Sequence, residues 1–320
     1  MFKKVISAVL ATALISSVFA FPAQALTPST PTKALVSTTW LKENLADKNL
    51  VILQVGDADN SIYVRGHIEG AQYIDWKTEL ANASESKLRN GVVVQSKFQQ
   101  VVKRLGINAD STVVLYSEGK SGLKATWGSW VFNLYGFPDV RILDGGLLKW
   151  TAAGNATTFA VPAARPAGNF LATNDSRNLR AKISEVIRNA QSKSVNRAVI
   201  VDTRDSASFA GTSAATGLGT AAATGHIATA KSIPTANILN ADGTYKSAAD
   251  IKAAYAAIGV TSSTKVLLYC GTGLLASGSW FALTQILGYK NVKNYDGSWF
   301  EFSAQAPKTL IDNPAAATTK

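Results

Sequence analysis

Cysteine is all but missing: the chain holds one, Cys270, among 320 residues. An internal disulfide is therefore excluded, and the thiol is either a buried small hydrophobe or a reactive group. Histidine is scarce too. His67 and His226 are the only two, too few and too far apart in sequence to suggest a metal site. Acidic residues number 21 against 32 Lys and Arg, yet neither a Lys/Arg-rich run nor a nucleic-acid-binding motif accompanies the surplus. The charge is dispersed and supports only a mild attraction for anionic substrates. Long apolar runs are missing beyond the first 25 residues, so no membrane span is expected in the remainder.

Residues 1–25 have their own character. Lys3 and Lys4 precede an apolar stretch from Val5 to Phe21, and Ala23-Gln24-Ala25 supplies a small-x-small pattern. This reads as a secretory signal peptide cleaved before Leu26, which implies an exported protein, periplasmic or extracellular. The alternative, an uncleaved anchor, is disfavoured by the shortness of the run. Cleavage lowers the formal charge from +11 to +9, because Lys3 and Lys4 leave with the signal.

The remainder is duplicated. Gly66-His67-Ile68 recurs as Gly225-His226-Ile227, and Val113-Val114-Leu115-Tyr116 as Val266-Leu267-Leu268-Tyr269. Leu143-Asp144-Gly145-Gly146 with Trp150 is echoed by Tyr295-Asp296-Gly297-Ser298 with Trp299. The blocks keep their order and nearly constant spacing, which chance similarity would not preserve. Two copies of one domain follow, residues 33–155 and 178–307, joined by a linker at 156–177 rich in Ala, Thr, Pro and Gly. Residues 308–320 are expected to be a flexible tail.

In each copy short β-branched runs (50–55, 113–116, 198–202, 266–269) alternate with helical spacing (98–105, 251–258). Further helices are expected at about 125–134 and 276–287. The Trp side chains at 40, 127, 130, 280 and 299 read as core or interface packing. The fold class is α/β, each domain with a mainly parallel central sheet flanked by helices.

The segment with most chemical content is Tyr269-Cys270-Gly271-Thr272-Gly273-Leu274-Leu275-Ala276. A buried strand runs into a glycine-bearing loop and then a helix, the place where ligands gather in parallel sheets. Backbone N–H groups of such a loop form an anion-binding nest, and the helix adds its positive end. A thiol in that field is expected to ionise readily, and the thiolate is the nucleophile.

These residues resemble the rhodanese family: Cys270-Gly271-Thr272-Gly273-Leu274-Leu275-Ala276 fits its Cys-x-x-Gly-x-x-Ala loop. Val201-Asp202-Thr203-Arg204, Gly225-His226-Ile227, Ile233-Pro234 and Tyr295-Asp296-Gly297-Ser298-Trp299 follow the family's order. A tandem with cysteine only in the second copy is similar to thiosulfate and 3-mercaptopyruvate sulfurtransferases. The resemblance implies a persulfide on Cys270, loaded by a small anionic sulfur donor and unloaded by a small nucleophile such as cyanide or a thiol. It implies no metal and no organic cofactor, and donor contacts from Gly271, Thr272, Gly273, Leu274, Leu275 and Arg204. For Arg204 an ion pair with Asp202 is equally open. His67 is a candidate cleft contact, although structural hydrogen bonding is the commoner fate of such a residue. Domain 1 has Ser117 where domain 2 has Cys270, so the first copy is expected to be catalytically silent and to wall the cleft. No nucleic-acid or membrane partner is expected for the mature chain, and a monomer is assumed.

The match has gaps. Ser208 stands where mercaptopyruvate-using relatives carry a second arginine, and Leu274 and Leu275 make the loop apolar where many thiosulfate-using relatives are basic. Gly271-Thr272 sits closer to the Gly-Ser of mercaptopyruvate enzymes, so the donor stays open. A phosphatase-like activity is set aside, because it needs an arginine at position 276, which is alanine. Three readings remain: a sulfurtransferase, a persulfide carrier for a partner protein, and a non-catalytic interaction module.

Overall fold

The computed structural model describes residues 32–82, 90–119, 122–173, 178–213 and 223–317. The expected signal peptide lies outside the described residues. The first sheet contains β1 (Leu35–Val36), β2 (Leu50–Gly56), β3 (Gln72–Asp75), β6 (Thr112–Tyr116) and β7 (Val140–Leu143), ordered β1-β7-β6-β2-β3. A small ribbon, β4 (Ala81–Asn82) with β5 (Gly91–Val92), stands apart from it. The second sheet contains β8 (Val199–Asp202), β10 (Lys231–Ser232), β11 (Val266–Tyr269) and β12 (Val292–Asn294), ordered β10-β8-β11-β12. Every pairing within these two sheets is parallel.

The two sheets superpose in pattern. Gln54 pairs with Tyr116 as Asp202 pairs with Tyr269, and the bridge from Arg180 to Asn294 takes the place of β1. All seven residues of β2 are buried, because helices cover both faces of a parallel sheet and no alternation is needed. Tyr116 accepts a hydrogen bond from Ile68 N (3.1 Å), and Tyr269 accepts one from Ile227 N (3.1 Å). The repeated Gly-His-Ile elements are thereby docked on the repeated strand ends.

The copies are joined face to face. Helix Leu123–Leu134 packs on helix Leu274–Phe281, and the matching hydroxyls of Thr126 and Ser277 lie 2.9 Å apart at their contact. A single apolar cluster that includes Trp127, Trp130, Trp280 and Cys270 runs through both domains. In the fold the repeated Asp-Gly turns cross the interface. Asp144 Oδ1 accepts from Tyr245 N (2.9 Å) of the second domain, and Asp296 Oδ2 accepts from Val92 N (3.1 Å) of the first.

One expectation needs correction. The tail from 308 is ordered as far as 317: Leu310 is buried, and β13 (Ile311–Asp312) pairs antiparallel with β9 (His226–Ile227). Main-chain pairing and one buried leucine hold what composition alone reads as frayed. The linker packs along the first domain. Its backbone bonds to domain 1 through Gly168 N, Phe170 N and Thr173 N, and Phe170 enters the core.

Asp296 is almost fully buried and also takes Arg180 through Nε (2.9 Å) and Nη2 (2.7 Å). Breaking a buried pair of this kind costs about 3–5 kcal/mol. Asp296→Ala is expected to lower the melting temperature by roughly 6 °C or more, read by calorimetry against the unaltered chain.

Candidate functional site

β11 ends at Tyr269, and the chain turns through Cys270 to Gly273 before entering the helix Leu274–Phe281. Gly273 adopts φ +88°, and a Cβ there would lie 2.8 Å from Asp296 Cα and 3.1 Å from the Trp127 ring. Only glycine combines that backbone with so close an approach. The outside of the loop is tied down: Cys270 O accepts from Trp299 N and Gly271 O from Phe300 N, both at 3.0 Å. Asn294 Nδ2 donates to Gly273 O (3.2 Å). Cys270 N donates to Ser298 Oγ (3.1 Å), which itself donates to Tyr295 O (2.7 Å).

With its carbonyls engaged, the loop turns its amides inward. Gly273 N lies 3.1 Å from Cys270 Sγ. The sulfur sits at the positive end of the helix, ringed by Gly271, Thr272, Leu274 and Leu275, all half-buried. Trp127 of the first domain backs Gly273, so the N-terminal copy does wall the loop.

The electrostatics differ from expectation in sign. Cys270 is 1% exposed. Burial pushes its thiol above the ordinary value, and the N–H groups of Ala276, Thr272, Gly273 and Leu275 pull it down without offsetting that rise. The cradle predicted from sequence is present, but the readily ionised thiol is not. Desolvation penalises the anion more than the amides favour it.

The remaining candidates separate. Arg204 is 3% exposed, so it is withdrawn from solvent. Its Nε reaches both carboxylate oxygens of Asp202 (3.0 and 3.1 Å), and Nη2 binds Asp202 Oδ2 (2.6 Å) and Gly225 O (2.7 Å). Its guanidinium lies 4.8 Å from the Trp299 ring centroid. The structure therefore places it beneath Trp299 as a structural cation, and of the two readings open from sequence the ion pair is the one seen. Ser208 is buried too, its hydroxyl 2.9 Å from Asp205 Oδ2. His67 does not face the cleft: it is fully buried, stacked on Tyr63, with Nδ1 2.9 Å from Tyr63 O and Nε2 3.2 Å from Ala160 O. His226 stacks on Phe209 in the same way. Among the described residues, no group of three His, Cys, Asp or Glu is placed to hold a metal, and no helix is long and apolar enough to cross a membrane.

Ser298, Asn294 and Asp296 support the loop and were missed as such from sequence. Ser298 carried a signal. It holds φ +48°, rare for a residue with a side chain, where the first copy has Gly146 at φ +58°. The hydroxyl is retained in a costly backbone position only in the copy that has the cysteine.

Comparison with known proteins bears on the family and the fold. The model of the rhodanese-like domain matches twice, at residues 37–153 and 183–305. The sulfur carrier protein TtuD of Thermus thermophilus is 36% identical over 84% of this chain and 93% of its own length. A Mycolicibacterium smegmatis protein provisionally named thiosulfate sulfurtransferase is 36% identical over 84% of this chain and 94% of its own. The crystal structure of SseA from Escherichia coli, described with the 3-mercaptopyruvate enzymes, matches with a TM-score of 0.70 and 25% identity, covering 84% of this chain and 99% of that one.

Because the thiol is held up by burial, its thiolate fraction keeps growing as the pH rises past the range of an exposed cysteine. Iodoacetamide labelling of Cys270 in the native protein should accelerate up to and beyond about pH 9, with no plateau near 8.5. Urea-unfolded protein should level off earlier.

Proposed function

The chain is a sulfurtransferase of the rhodanese family, and we propose that Cys270 carries the transferred sulfur as a persulfide. The observation behind this reading is the sulfur of Cys270 at the focus of inward-turned amides, with Gly273 N at 3.1 Å. A persulfide anion needs such donors once water is excluded.

With thiosulfate as donor, the Cys270 thiolate attacks the outer sulfur. A new S–S bond to Cys270 forms while the donor's sulfur–sulfur bond breaks, and sulfite leaves with the electron pair. An acceptor such as cyanide then takes the outer sulfur and returns Cys270 as thiolate. With a mercaptopyruvate-like donor the bond that breaks is carbon–sulfur: the electron pair leaves with pyruvate as its enolate, which takes up the proton of the donor thiol. The proton of the resting thiol must be lost first, and the raised thiol value makes that step costly at neutral pH.

A second reading, a sulfur carrier that turns over slowly until a partner opens the loop, has one observation in its favour: the sulfur is 1% exposed. The likeness to a protein named as a sulfur carrier points the same way.

Intact mass after incubation with thiosulfate or mercaptopyruvate tests both. One added sulfur atom is expected on the unaltered chain and none on Cys270→Ser. Rapid thiocyanate release with cyanide supports the enzyme, a stable persulfide supports the carrier, and absence of any adduct overturns both.

We also propose that the protein works outside the cytoplasm, on the strength of residues 1–25. Protein recovered from the periplasm or medium should begin at Leu26 on N-terminal sequencing, and an intact Met1 on exported protein would contradict the proposed cleavage.

A further inference from the structure

The two copies differ most tellingly one strand away from the cysteine loop. By register, Gln54 and Gly56 of β2 stand where Asp202 and Arg204 stand in the second domain. There the guanidinium fills its slot against Asp202. In the first domain Gly56 has no side chain, and Tyr73 leans into part of the space: a Cβ on Gly56 would lie 2.5 Å from Tyr73 Oη. A cavity of about 240 Å³ remains, lined among others by Gln54, Asp57, Asp59, Tyr63, Tyr73 and Glu118.

Its polar groups are not all satisfied. Gln54 is fully buried; its Oε1 accepts from Tyr116 Oη (2.8 Å), but its Nε2 has no partner. Glu118 gives Oε1 to Lys124, while its buried Oε2 has no partner. Buried donors and acceptors are rarely left so. Among the described residues, three carboxylates, Asp57, Asp59 and Glu118, stand with two lysines, Lys124 and Lys77, both bound to Asp57, which leaves one negative charge over in this set.

We propose that this cavity binds a small organic cation that also carries an acceptor oxygen, the class to which basic amino acids belong. The cation replaces the missing guanidinium and engages Glu118 Oε2, with the Tyr63 and Tyr73 rings beside it. The oxygen accepts from Gln54 Nε2. A volume below the roughly 300 Å³ lower end of ordinary ligand pockets restricts the ligand to this size. Since no group of three metal-ligating side chains is assembled among the described residues, the cation is organic.

Calorimetric titration of the full chain with L-arginine, at ionic strength fixed with sodium chloride, tests the assignment. One saturable site is expected, with a Kd on the order of 1 mM, as befits a ligand of roughly a dozen heavy atoms. Glu118→Gln should weaken binding about tenfold or more, the loss expected for a charged hydrogen-bond partner. Asp59→Asn, at an exposed position that cannot unfold the chain, should weaken it several-fold. Cys270→Ser should leave it unchanged. Absence of saturable heat, or equal affinity in the unaltered chain and Asp59→Asn, would overturn the proposal, and neither result bears on sulfur loading at Cys270.

Discussion

Asp296 is where three parts of the chain meet. Its carboxylate holds Val92 of the first domain and Arg180 at the start of the second, and its backbone lies against Gly273 of the cysteine loop. A carboxylate this buried is costly to leave without its hydrogen-bond partners. The register between domains and the shape of the amide cradle are therefore one constraint. The glycine at 273 leaves room, and the backbone of residue 296 fills it.

The chemistry of Cys270 is a contest between two effects of the same enclosure. Excluding water raises the cost of the thiolate, and it also strengthens each amide contact made with an anion once formed. In the resting thiol the first effect wins, as the upward displacement shows. A persulfide, the form proposed for the loaded state, is intrinsically the more acidic species, and its formation would move the balance toward the amides.

Much of this was legible in the sequence. The duplication, the parallel sheets and the strand–loop–helix setting of Cys270 follow from local patterns of β-branched runs, glycines and repeated blocks. What escaped was set by contacts between distant segments. Arg204 lies two residues from Asp202, and only the geometry of the strand end decides that its guanidinium folds back onto that carboxylate beneath Trp299. The Asp-Gly turns look identical whether they end locally or cap an amide of the other domain. The direction of the thiol shift depends on how far burial has gone, which composition does not encode. The ordered end of the chain rests on pairing with β9, a partner some 85 residues upstream.

The exchange of hydrogen bonds between the domains has the form of an isologous pair: Asp144 reaches Tyr245 while its counterpart Asp296 reaches Val92, and the hydroxyls of Thr126 and Ser277 meet on the pseudo-axis. Self-complementary surfaces of this sort are what two identical single-domain molecules would have presented to each other before fusion. Once tethered, the halves no longer had to be the same to remain partners. The present halves differ in just this way: one carries Cys270, Asp202 and Arg204, the other Ser117, Gln54 and Gly56, across an interface that pairs matching positions.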